Sequence, residues 1–167
     1  MIGMRKQPIQ IYLVLGSNLG DRLAHLKQAI GSLSSKINDM VVSPVYETTP
    51  WGVKEQPMFL NLCIGGFTRL SPKELLKFIK IVEQKLQRIE QFKWGPREID
   101  IDILFYGHRV IHQTDLVIPH QHLADRAFAL VPLADIAPDL IHPELKYSVK
   151  QMLLSVDTST VKAYRVP

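Results

Sequence analysis

Apolar positions along the chain change their period at regular points, and those changes divide it into strands and helices. Ile9 to Leu15 is an apolar run closed by Gly16-Ser17-Asn18, the composition of a buried strand followed by a turn. Asp21 stands where a helix N-cap is needed, and Leu23, Leu26, Ile30, Leu33 and Ile37 then recur on one helical face. Val41 to Thr48 reads as a strand interrupted by Pro44, whose missing amide hydrogen predicts an edge strand or a bulge. From Thr49 to Pro57, prolines and a glycine surround Trp51. That composition predicts an ordered loop whose tryptophan is either held out as a lid or folded back onto the core. Phe59 to Thr68 is the third strand, and Gly65-Gly66 inside it predicts a bulge or a close backbone approach.

Ser71, Pro72 and Glu74 form the N-terminal signature of a second helix, with Leu75, Ile79, Val82, Leu86 and Ile89 on one stripe and an end expected near Phe92. The fourth strand is expected over Glu98 to Tyr106, closed by Gly107-His108, with a short strand around Val110-Ile111 pairing back as a hairpin. Beyond it, Val117 to His120 is extended, Asp125 can cap a short helix through Leu130, Ser148 and Gln151 form a capping box, and the tail after Val156 is loosely held. The order βαββαβ predicts an α+β, ferredoxin-like sandwich with a C-terminal extension: two long helices on one face of a sheet, an open crevice on the other.

With 167 residues, 46% of them hydrophobic, the chain has the size of a single domain, its ordered core expected over about residues 9–156. The formal net charge of +4 favours an anionic partner. Lys and Arg are scattered, so the basic tract of a nonspecific nucleic-acid arm is missing, which favours a small anionic ligand. Cys63, the only cysteine, lies in an apolar run and reads as a buried inert thiol. With no secretory h-region and no membrane span in the sequence, the expectation is a cytoplasmic protein that binds no membrane.

The chemistry concentrates in Trp94-Gly95-Pro96-Arg97-Glu98-Ile99-Asp100-Ile101-Asp102. On a strand, Asp100 and Asp102 share one face, roughly 6 to 7 Å apart, while Ile99, Ile101 and Ile103 share the other. Two carboxylates so placed are either the solvated face of a half-buried strand or partners of a cation. A divalent metal carrying substrate phosphates fits the second case, and Arg97 adds a planar fork that can hold phosphate oxygens. That is a composition for phosphoryl transfer. The sequence contains neither a Gly-x-x-x-x-Gly-Lys-Ser/Thr loop nor a Gly-x-Gly-x-x-Gly turn, and Gly16 to Gly20 is only a weak turn signal. His108, His112, His120, His122 and His142 lack zinc-ligand spacing, so a metal would rest on oxygen ligands, which points to magnesium.

Six motifs in order carry a resemblance from Ile11 to about Leu154. They are Leu15 to Arg22, Tyr46 to Gly52, Gln56 to Asn61, Trp94 to Asp102, Ile118-Pro119-His120, and Arg126-Ala127-Phe128. In these the chain resembles the 6-hydroxymethyl-7,8-dihydropterin pyrophosphokinase family, folate-pathway enzymes that move a diphosphate from ATP to the pterin hydroxymethyl group and release AMP. The resemblance implies that Asp100 and Asp102 help hold two Mg2+ ions on the ATP phosphates and that Arg97 clamps phosphate. It implies that Phe59 and Phe128 sandwich the pterin ring while Asn61, Thr48 and the backbone around Thr49, Pro50 and Trp51 bond its edge. Glu83, Ile103, His120 and Arg126 match ATP-site positions, and Trp94 matches a loop that closes over the substrates.

The departures fall between Glu83 and Trp94. Members commonly show Gly-Arg-x-Arg followed by another Arg; here Gln87-Arg88-Ile89-Glu90 and Lys93 stand in a shortened segment. Arg88 fills the first arginine position, Glu90 reverses the charge of the second, and Lys93 offers a point charge in place of a fork. A closing loop that begins near Arg88 conflicts with a helix running to Phe92. The expected ligands are ATP and a hydroxymethyl dihydropterin, with no nucleic acid, and the expected state is a monomer. Two other readings stay open on the residues alone. A βαββαβ RNA-binding module is one, although the third strand lacks its aromatic pattern. A nucleotidyl transferase or cyclase using the same carboxylates is the other.

Overall fold

The computed structural model describes residues 6–50, 55–87 and 98–166. Strand β1 (Ile9–Ser17) is the spine of the sheet, paired antiparallel with β4 (Phe59–Thr68) on one side and β5 (Asp100–Tyr106) on the other. Its near-continuous apolar run is what a strand covered on both faces needs. Ile11, Leu13 and Leu15 point to one core, Tyr12 and Val14 to a second. Pro44 splits the expected second strand in two, β2 (Asn38–Val42) and β3 (Tyr46–Thr48), and both pair with β4. With β8 (Val161–Ala163) beside β3, the sheet runs β5-β1-β4-β3-β8, and every pairing is antiparallel.

Helices α1 (Arg22–Leu33) and α2 (Pro72–Leu86) cover the first face and form the larger core with Leu60, Leu62, Ile64, Ile101 and Ile103. Both begin at the expected caps: Asp21 accepts from the Ala24 N–H at 3.1 Å, and Ser71 from the Glu74 N–H at 3.2 Å. Gly65 and Gly66 mark the close approach. A Cβ at Gly65 would stand 2.7 Å from Tyr12 Cε1, and one at Gly66 2.5 Å from Ile37 Cγ2.

The second face is half covered, where an open crevice was expected. Helices α3 (Ala127–Ile136) and α4 (Val149–Leu153, entered through the Ser148–Gln151 capping box) pack over Tyr12, Val14, Cys63 and Phe105. Burial pushes the Cys63 thiol pKa up, and its Sγ lies 3.4 Å from the Ala129 carbonyl oxygen, as befits an inert core residue. A bulge lets β5 serve both faces: Leu13 opposes Ile103 and Tyr12 opposes Phe105, so Leu104 is the extra residue and joins Phe105 in the second core.

Four local expectations need correction. Helix α2 stops at Leu86, where Gln87 turns extended and its side chain donates to the Ile99 carbonyl; Ile89 and Phe92 lie outside the described residues. The stop coincides with a contact to the segment entering β5. Val110 and Ile111 do not pair back on β5 as a hairpin; Gly107 adopts a positive φ and donates to the Gln10 carbonyl. Instead β6 (Ile111–His112) pairs with β7 (Val117–Ile118). Asp125 caps nothing; it ends a 3-10 turn over Leu123–Asp125, and α3 follows Arg126. The tail after Val156 is held, since β8 closes the sheet against β3.

Candidate active site

Strand register brings the two halves of the site onto the half-covered face. Gly16 near the end of β1 pairs with Asn61 on one side and Asp100 on the other, and two residues back Val14 lies between Cys63 and Asp102. Two interstrand spacings place Asn61 and Asp100 about 10 Å apart. Gly16 presents no side chain between them, so the floor there is bare backbone.

On the Asn61 side the groups are polar and fixed. Asn61 and Thr48 are both buried, and the Asn61 Nδ2 donates to Thr48 Oγ1 at 2.6 Å. The carboxamide is thereby oriented with its Oδ1 toward Gly16. Thr48 pairs across the ladder with Phe59, which is half-buried on the same face. Helix α3 lies over β4 and carries Phe128, also half-buried, in its first turn. Thr49 is exposed and Pro50 buried; Trp51 lies outside the described residues.

The Asp100 side is charged. Asp100 and Asp102 are half-exposed, as the alternation rule required, while Ile101 and Ile103 are buried behind them. Asp102 Oδ2 lies 3.7 Å from the Arg126 guanidinium and 3.9 Å from His120 Nε2. His120 accepts the His122 N–H at its Nδ1, 3.1 Å away, so in the neutral ring the proton sits on Nε2, toward Asp102. Burial, aided by the Arg126 charge, pulls the His120 pKa down to about 4 and keeps the ring neutral. Arg126 lies over the Phe128 ring, 5.4 Å from its centroid, and so joins the two halves.

Glu83 approaches from α2. It is buried, accepts the Ile101 N–H at 2.9 Å and pairs with Lys80 at 3.1 Å. Burial and the Asp100 charge both raise its pKa. With Gln87 one turn later on Ile99, α2 grips the outer edge of β5 at two backbone groups flanking Asp100. A cleft of about 250 Å³ runs along this edge, lined among others by Lys80, Ile103 and His120.

The donor chemistry fits magnesium. Among the described residues no group of three or more His, Cys, Asp and Glu could form a metal cage by itself. Two hard carboxylates beside an open cleft are what Mg2+ uses when substrate phosphates complete its shell. Of the expected site residues, Asp100, Asp102, Glu83, Ile103, His120 and Arg126 gather along β5, and Thr48, Phe59, Asn61 and Phe128 gather beyond Gly16. Arg88, Trp94 and Arg97 lie outside the described residues.

Two contributors had no role assigned from sequence. Asn18, buried, donates to Gln56 Oε1 at 2.8 Å and to the Pro57 carbonyl at 2.9 Å; Arg22 reaches Glu47 and the Met58 carbonyl. Both belong to the Leu15-to-Arg22 motif, which was the only signal that could have found them.

Residues 12–138 match the family model described as 7,8-dihydro-6-hydroxymethylpterin-pyrophosphokinase. The chain belongs to this family. It is a pyrophosphokinase, of the family whose reaction moves a pyrophosphoryl group from ATP to hydroxymethyldihydropterin in folate synthesis. It is 45% identical over 141 residues to the 2-amino-4-hydroxy-6-hydroxymethyldihydropteridine pyrophosphokinase of Aquifex aeolicus, covering 84% of this chain and 88% of that one. The enzyme of the same name from Methylorubrum extorquens is 41% identical, over 90% of this chain and 96% of its own. Longer proteins contain the same unit. A solved HPPK-DHPS of Plasmodium falciparum shares the fold, with a TM-score of 0.73 at 17% identity over 95% of this chain, which spans 47% of that protein.

Proposed function

We propose that this enzyme transfers diphosphate from ATP to the hydroxymethyl group of 6-hydroxymethyl-7,8-dihydropterin, with AMP as the second product, across the floor formed by Asn61, Gly16 and Asp100. The observation that supports this reading is their cross-strand alignment, which puts Asn61 and the two carboxylates on one face of the sheet. Phe59 and Phe128 stack the pterin ring. Asn61 and Thr48, with backbone at Thr49, Pro50 and Trp51, bond its edge; a planar heterocycle suits aromatic faces and a fixed carboxamide.

Asp100 and Asp102 would hold two Mg2+ ions. Bound magnesium supplies charge neutralisation at the transferring phosphates. Arg97, with Arg88, holds the phosphate oxygens as charge develops on them, and Arg126 with neutral His120 orients the triphosphate beside Asp102. Glu83 and Ile103 complete the nucleotide site, and Trp94 shields it from water, which would compete with the pterin hydroxyl.

We read the frame as a ferredoxin-like βαββαβ sandwich whose second strand is split by Pro44 and extended by β8. The strand order β5-β1-β4-β3 supports this. We read residues 1–167 as one catalytic domain acting as a monomer in the cytoplasm, with no nucleic-acid or membrane ligand. Light scattering that gave a dimer mass would refute the monomer. The reaction is tested by following AMP from ATP, Mg2+ and the hydroxymethyl pterin: formation in step with pterin loss is expected, and its absence would overturn the proposal.

A further inference from the structure

Arg22 stands behind the sheet and, among the described residues, its partners are Glu47, Met58 and Tyr164 and none of those assigned to substrate. Its NH1 donates to Glu47 Oε2 at 2.8 Å and to the Met58 carbonyl at 3.0 Å. Glu47 immediately precedes Thr48, and Met58 immediately precedes Phe59; Thr48 and Phe59 are cross-strand neighbours. Side chains alternate, and Glu47 pairs with Leu60, which belongs to the core under α1 and α2. One guanidinium therefore ties β3 at Glu47 to the start of β4 at Met58 from the helical face, while Thr48, Phe59 and Asn61 work on the other.

Arg22 is itself held by the C-terminus. The Tyr164 ring lies 5.8 Å from its guanidinium carbon, and the Tyr164 N–H donates to the Val45 carbonyl at 2.9 Å. Strand β8 runs beside β3 with Thr48 opposite Val161 and Glu47 opposite Lys162. These residues lie beyond the 12–138 stretch matched by the family model. Partial burial strengthens the ion pair: the Arg22 and Glu47 side chains are 25% and 33% exposed.

We propose that Arg22, braced by Tyr164 just beyond the C-terminal strand, is a positioning residue for the acceptor pocket: it holds Glu47 and Met58, the residues before Thr48 and Phe59, and so sets the spacing of Thr48 against Phe59. The proposal rests on the pterin-binding reading above. A residue acting this way governs one ligand and spares the other, since Asp100, Asp102 and Ile103 lie on β5, three strands from β3 and two from β4.

The test compares the parent with Arg22→Ala, Arg22→Lys, Tyr164→Leu and Glu47→Gln. Pterin affinity is read by titration in the presence of Mg2+ and a nonhydrolysable ATP analogue, and affinity for the analogue alone by calorimetry. Loss of a charge-assisted clamp is expected to weaken pterin binding about 10-fold in Arg22→Ala. Analogue binding is expected to stay within about twofold, and Arg22→Lys to recover part of the loss, since a point charge keeps one of the two contacts. Tyr164→Leu, which leaves Arg22 in place, should weaken pterin alone, and Glu47→Gln should add nothing in the Arg22→Ala background. Equal loss of both ligands, or unchanged pterin affinity in Tyr164→Leu and Arg22→Lys, would overturn the proposal. A parent that binds the analogue but no pterin would instead remove the functional reading beneath it.

Discussion

Replacing Gly16 with alanine tests the acceptor side with a single methyl group. A Cβ there would lie 2.5 Å from Asn61 Oδ1 and 3.3 Å from Phe59 Cδ1. Nonbonded heavy atoms settle about 3.5 Å apart, so the carboxamide must retreat by roughly 1 Å. It cannot do so and keep its 2.6 Å bond to Thr48. Leaving that buried pair unsatisfied costs about 1 to 3 kcal/mol, which corresponds to about 5- to 150-fold in affinity for a ligand that reads the same carboxamide. Fluorescence titration of the pterin with Mg2+ and a nonhydrolysable ATP analogue measures the loss, and the analogue's own affinity should hold. Gly65→Ala is the matched control, because its Cβ would meet the Tyr12 ring at 2.7 Å, away from Asn61. It should lower thermal stability and leave pterin affinity unchanged. Pterin binding by Gly16→Ala within twofold of the parent would refute the assignment of Asn61 and the bare floor beside it.

The carboxylates, the clamp, a buried histidine and a helix cap give four more tests. Asp100→Ala and Asp102→Ala should each abolish turnover, checked by AMP release; turnover near the parent rate in either would remove the metal assignment. Arg97→Ala should cost on the order of a hundred-fold in kcat, by comparison with loss of one preorganised charge stabiliser; a rate equal to the parent would show the role is misplaced. His142 Nδ1 accepts the N–H groups of Glu144 at 3.2 Å and Leu145 at 3.1 Å, and burial lowers its pKa against an opposing pull from the Glu144 charge. The unfolded chain therefore binds the extra proton, so this contribution is complete above pH about 6.5 and is lost as pH falls below it. Thermal unfolding between pH 7.5 and 5 should show a steeper fall in Tm for the parent than for His142→Asn, and equal slopes would contradict it. Ser71→Ala should lose about 1 kcal/mol, a Tm drop of about 2 to 4 °C, with kcat unchanged; an unshifted Tm would mean the cap is not stabilising α2.

Features fixed by local chemistry were legible in the chain. The Asp21, Ser71 and Ser148 caps, the ends of β4 and the split at Pro44 depend on residues close in sequence. The sidedness of Asp100 and Asp102 followed from strand alternation. What was not legible depends on distant partners. No glycine or proline ends α2; its end coincides with Gln87 reaching Ile99 across the gap to β5. Val161-Lys162-Ala163 is too short to announce a strand, and it becomes one only because β3 offers an edge. Asn18 looks like a turn residue and Arg22 like the first residue of a helix until Gln56, Pro57, Met58 and Glu47 are brought beside them. The two-substrate reading came from resemblance; the register of Gly16 between Asn61 and Asp100 brings the residues it names onto one face.

ATP labelled in its β-phosphate distinguishes diphosphate transfer from the alternative phosphoryl and nucleotidyl transfers. Incubated with the protein, Mg2+ and 6-hydroxymethyl-7,8-dihydropterin, it should yield unlabelled AMP and a pterin carrying all of the transferred label. Labelled ADP beside a singly phosphorylated pterin, labelled free diphosphate, or no transfer would contradict the account.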